Sequence, residues 1–144
     1  MNVIELNNDH NSLNKIESFI EAICDEKNIG ETFLGNILIA ISELVNIIES
    51  QKSDVRISFL NEPKKFLFKF SNLSDNFKFS AFKPSNNSDI DDSLFMINAL
   101  CDDLEIDYES NSITLTFLNT GVDDEVSNHR KAYLSKFLNQ RIRV

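Results

Sequence analysis

Few side chains in this sequence stand where they could do chemistry, and Glu43 is the first to question. It lies in NILIAISELVNIIESQ, Asn36 to Gln51. There Ile37, Leu38, Ile41, Leu44, Val45 and Ile48 recur at helical spacing and make one apolar stripe. A second face, offset by roughly 100–120° at ~100° per residue, carries Asn36, Ile39, Ala40, Glu43 and Ile47. A helix apolar on two sides is packed from two sides. A carboxylate there costs free energy unless something pairs with it or uses it. Glu43 is therefore either an acid at the rim of a core helix or a functional group.

The other reactive residue types are sparse. Cys24 and Cys101 are far apart and sit inside apolar helical patterns, so reduced core thiols are expected rather than a disulfide or a metal pair. His10 and His129 are the only histidines, and without a Cys/His cluster no metal site is expected. A net charge of −9 opposes phosphate backbones, and no basic stripe with interleaved aromatics precedes the C-terminal tail. Nucleic acid is thereby disfavoured as a partner. The longest apolar run, Ile37 to Ile41, is too short to span a bilayer. The start, MNVIELNNDH, lacks the basic and apolar regions of a secretory signal, so a cytoplasmic protein without a membrane partner is expected.

The elements that would position Glu43 follow from the hydrophobic pattern. Asn2 to Leu6 alternates weakly, as a short edge strand does, and Asn7 to Asn11 reads as a turn. With Ser12 as N-cap, Leu13 to Lys27 places Leu13, Ile16, Phe19, Ile20, Ile23 and Cys24 on one helical face. Gly30 ends that helix and Glu31 begins the helix carrying Glu43. Val55 to Leu60 and Lys65 to Ser71 alternate as strands around Asn61-Glu62-Pro63-Lys64, a hairpin. From Asn72 to Ser93 the chain is polar, interrupted by Phe77, Phe79 and Phe82, which fit an anchored surface loop. Leu94 to Cys101 has a helical face. Leu104/Ile106/Tyr108 and Ile113/Leu115/Phe117 form a second hairpin around Glu109 to Ser112.

A chain of 144 residues with 42% hydrophobic and 26% charged residues suits one ordinary globular domain. Runs of helices and strands, rather than strict alternation, imply an α+β two-layer sandwich. We expect a domain over residues 1–118. Beyond it, residues 119–144 form a C-terminal helical extension whose stripe of Tyr133, Leu134, Phe137, Leu138 and Ile142 packs on the domain or on a partner.

The helix around Glu43 and the segment LFMINALCDDLEI, Leu94 to Ile106, give the chain its resemblance to a known family. Over about residues 1 to 118 it resembles the histidine-kinase-like (GHKL, Bergerat-fold) ATPases, and among them the small anti-sigma-factor serine kinases of bacteria. The resemblance implies a mixed, mostly antiparallel sheet covered on one face by helices. In such enzymes a Glu, here matched by Glu43, orients a proton near the γ-phosphate of ATP. An Asn four residues later holds Mg²⁺.

Against that pattern, position 47 is Ile; Asn46 is adjacent but lies ~100° round the helix. Where many relatives have His eight residues after the Glu, this chain has Gln51. The family's Asp-x-Gly-x-Gly-Phe falls on Asn72-Leu73-Ser74-Asp75-Asn76-Phe77, of which Phe77 alone matches; Asn72 can still accept a bond from an amino group. The later glycine-rich phosphate turn falls on Asp91-Asp92-Ser93, whose carboxylates repel a triphosphate.

The expectation is a non-catalytic, pseudo-kinase regulatory domain that binds no ATP and needs no cofactor, with Glu43 as a vestigial base. The resemblance suggests as partner a sigma factor, a STAS-type antagonist or a kinase relative; a homodimer is a further possibility. The alternative is an active ATP- and Mg-dependent serine/threonine kinase with Glu43 as base and Asn46 and Asn72 as surrogate nucleotide-site ligands.

Overall fold

A computed structural model describes residues 2–7, 12–27, 29–82 and 88–118. The C-terminal extension, His10 and His129 lie outside the described residues.

The order of elements is β1 (Val3–Leu6), α1 (Ser12–Lys27), α2 (Glu31–Ser50), β2 (Val55–Glu62) and β3 (Lys65–Ser71). A 3₁₀ turn (Phe79–Phe82), α3 (Ser88–Leu100), β4 (Asp103–Asp107) and β5 (Ser112–Leu118) follow. The strands form one sheet in the order β1-β2-β3-β5-β4. Every pairing in it is antiparallel. The expected mixed sheet is thus corrected to a fully antiparallel one, because β5 is inserted between β3 and β4 and pairs antiparallel with both.

Alternation along the strands makes this sheet two-faced. Ile57, Phe59, Phe66, Phe68, Phe70, Ile113, Leu115 and Phe117 are buried on one face, whereas Arg56, Leu60 and Lys69 project from the other. Edge-to-face rings tie the buried face together: Phe68 and Phe117 have centroids 5.8 Å apart, and Phe33 of α2 lies 5.9 Å from Phe66. The result is the α+β two-layer sandwich, with α2 in the middle of the helical layer and touching both α1 and α3. On β1, at the sheet edge, Glu5 pairs across strands with Arg56.

That placement explains α2's composition. Its window Phe33–Ser50 has a mean hydropathy of 1.5, enough in length and composition for a membrane span, yet 56% of it is buried inside the fold. Polar residues spaced among the apolar ones hide this from a search for uninterrupted runs. Ile37, Ile41, Leu44 and Ile48 are each at most 1% exposed, and Ile39, Ala40 and Ile47 on the second face are at most 4% exposed. Both stripes read from the sequence are core.

The ends of α2 are set differently. Gly30 precedes it with extended backbone (φ −70°, ψ 158°) and no side-chain cap. At the other end Lys52 takes a left-handed φ of 58°; its amide donates to the Glu49 carbonyl (2.9 Å), and that of Ser53 donates to the Ile48 carbonyl (3.3 Å). This closure satisfies two carbonyls of the last turn and turns the chain toward β2.

Candidate functional site

Glu43 is half-buried on the side of α2 that meets α3, and it has a partner. The Ser93 hydroxyl donates to Glu43 Oε2 at 2.7 Å. This bond ties the centre of α2 to the first half of α3. Ile47, one turn further along α2, is 2% exposed. The carboxylate is therefore held as a hydrogen-bond acceptor beside packed apolar side chains.

Ser93 reaches Glu43 because α3 begins earlier than the hydrophobic pattern suggests, at Ser88 rather than near Leu94. Ser88, Asp89, Asp91 and Asp92 are the residue types that suit the positive end of a helix. That signal was legible, but the apolar spacing alone passes over it. The consequence is chemical. Asp92 and Ser93 lie in the helix rather than in a turn before it, so their amides face carbonyls four residues back instead of open space.

The stretch after β3 is pinned rather than open. Asn72 is exposed and has φ 60°, a conformation Asn tolerates better than most residues. Leu73 and Phe77 turn inward and are 7% and 8% exposed. Ser53 Oγ accepts from the Ser74 amide at 2.8 Å. Gln51 clamps Lys78 from both sides: its Nε2 donates to the Lys78 carbonyl (3.0 Å), and its Oε1 accepts from the Lys78 amide (2.7 Å). Phe77, Phe79 and Phe82 cluster, and Phe79 meets Tyr108 edge-on at 5.3 Å. The anchored loop expected from the phenylalanines is what residues 72–82 form. The two polar anchors, Gln51 and Ser53, could not be assigned from sequence because their partners are backbone groups 27 and 21 residues away.

Asn46 lies one turn from Glu43, roughly 60° round the helix at ~100° per residue. It is exposed and lines a cavity of about 270 Å³ between α1 and α2. Glu43, Asn46 and Asn72 therefore lie in three settings: one bonded to α3, one facing α1, one at a turn after β3. Among the described residues, two further polar atoms of α2 on the α1 side, Ser42 Oγ and Glu49 Oε1, are buried without a hydrogen-bond partner, as is Asn36 Oδ1 near its start. Among the described residues, no group of three or more His, Cys, Asp or Glu side chains is arranged to hold a metal.

Cys24 and Cys101 are buried thiols not joined in a disulfide, as expected of core cysteines. Burial, with the Asp25 charge adding to it, pushes the Cys24 thiol up to about 11. In the β4–β5 turn the Asp107 carboxylate accepts from the amides of Glu109 (3.0 Å) and Ser110 (3.3 Å). The bonds from Ser110, then that from Glu109, hold it below the usual carboxylate range.

No family model and no curated protein matches this chain.

Proposed function

We propose that this chain is a non-catalytic regulatory domain that binds a protein partner, derived from the anti-sigma-factor serine-kinase ATPases and no longer able to bind ATP. The observation that carries the reading is the Ser93–Glu43 hydrogen bond between α3 and α2. A general base must be within reach of the proton it takes, and a metal site beside it needs an oxygen ligand. Here the carboxylate is engaged by a serine of this chain, and buried Ile47 supplies no ligand. Gln51 and Ser53 tie down the segment that falls on and follows the family's Asp-x-Gly-x-Gly-Phe, through Ser74 and Lys78.

On this reading the protein acts in the cytoplasm by occupying a partner such as a sigma factor, a STAS-type antagonist or an active kinase relative, and no cofactor is required. The active-kinase alternative would need Asn46 and Asn72 to converge on Glu43. Asn46 lies one turn from Glu43 but is exposed and lines the cavity toward α1, whereas Glu43 is bonded to Ser93 of α3 and Asn72 lies at the turn after β3.

The test is phosphotransfer. The full chain, incubated with radiolabelled ATP, Mg²⁺ and candidate STAS domains, is expected to label none of them, while its complex with a cognate partner forms equally with and without ATP. Label on a STAS serine that disappears in Glu43→Ala would overturn the proposal.

A further inference from the structure

The flank of α2 that faces α1 has the opposite character from the flank that faces α3. Ser42, Asn46 and Glu49 are spaced at i, i+4 and i+7 and so share one side of the helix. With Ser12 and Ile16 of α1 they line the cavity of about 270 Å³. Ser42 is only 6% exposed, and among the described residues neither its hydroxyl nor the buried Oε1 of Glu49 has a hydrogen-bond partner. Buried polar atoms are nearly always paired, and a carboxylate oxygen withdrawn from water is costly to leave bare. Among the described residues that line the cavity, Glu49 is the only charged one.

We propose that this cavity binds the cationic head of an amine, a guanidinium or primary ammonium group, seated on the Glu49 carboxylate with a second polar contact to Ser42. A cation with several N–H donors fits because Glu49 supplies a charged acceptor and Ser42 an oxygen that accepts or donates. The two Cα positions are about 10 Å apart along the axis at ~1.5 Å per residue, and the longer side chain leans back toward the shorter. The Glu49 carboxylate thereby approaches Ser42, and the N–H donors of a single guanidinium or ammonium head, as on an arginine or lysine side chain or a free alkylguanidine, bridge the two. A net charge of −9 adds a field that attracts cations. The proposal does not depend on the reading of Glu43, because it concerns the other flank of the helix.

The test is amide NMR on the full chain with two probes: agmatine, a free alkylguanidine, and a short peptide presenting one arginine. Saturable shifts centred on Ser42, Val45, Asn46 and Glu49 are expected. Glu49→Gln should weaken binding by about tenfold, the worth of one charged hydrogen bond. Ser42→Ala should weaken it less, and Glu21→Gln on the exposed side of α1 should leave it unchanged. Tighter binding of the peptide identifies a partner's side chain as the source; tighter binding of agmatine identifies a free amine. Absence of saturable shifts, or equal shifts in the wild-type and folded Glu49→Gln proteins, would mean that the cavity holds water only and would overturn the proposal.

Discussion

Glu43 and Glu49 sit on one helix, six positions apart, and their surroundings differ in kind. Glu43 faces α3, receives the Ser93 hydroxyl at 2.7 Å and is half-buried beside the buried Ile47. Glu49 faces α1 across a cavity and keeps a buried oxygen without a partner. A carboxylate that resembles a catalytic residue can thus be a structural acceptor, while an inconspicuous one on the opposite flank has the unmet bonding capacity of a site. Satisfaction of hydrogen bonds, rather than likeness to a motif, separates the two.

The harshest way to break this contrast is to force a ligand back into the closed flank. Ile47→Asn places an amide four residues after Glu43, where a metal ligand would be needed, but in a position 2% exposed. Loss of packing plus a buried unpaired amide is expected to cost about 2–4 kcal/mol in denaturant unfolding, with no gain of nucleotide binding. A variant of wild-type stability that binds ATP would show that the flank is not closed.

Glu43→Leu probes the same flank more gently. It strands the Ser93 hydroxyl, so a loss of about 1–2 kcal/mol is expected, and the Glu43→Leu/Ser93→Ala double variant should recover part of it. A strictly additive double-mutant cycle would show that the Ser93–Glu43 bond contributes nothing to stability. On the open flank the sign should reverse. Glu49→Leu, which removes an unsatisfied buried oxygen and leaves no partner behind, should be neutral or stabilise by up to ~1 kcal/mol. If it destabilises as much as Glu43→Leu, the two flanks are alike.

How much of this was legible in the sequence depends on the range of the interaction. Local periodicity places all five strands within a residue or two and defines both apolar faces of α2, because alternation and helical spacing are properties of neighbouring residues. Ile47 at the ligand position was likewise visible. The Ser93–Glu43 bond was not, since it joins residues 50 apart and requires α3 to start at Ser88. The sheet's fully antiparallel pairing was hidden for the same reason: the position of β5 between β3 and β4 is a long-range fact. The Ser42/Asn46/Glu49 stripe is local and could have been read from the sequence. Its meaning depends on the gap left by α1, which spacing does not reveal.

The smallest expected effect lies in the core that both flanks share. Cys24 ionises in the folded state only near 11, so an unfolded chain loses that proton first as pH rises. The thiol's contribution to stability is whole below the ordinary cysteine range and is lost as pH climbs through about 11. Below that range, alkylation of Cys24 should be slow in the native protein and fast after unfolding. Rapid native labelling would contradict its burial.

The central proposal is that the α2–α3 flank, with Glu43 engaged by Ser93 and Ile47 buried, binds no nucleotide. Calorimetric titration of the full chain with ATP and Mg²⁺ tests it most directly. No saturable heat is expected at any ATP concentration in the micromolar range; a stoichiometric, micromolar binding isotherm that weakens in Glu43→Ala would contradict it.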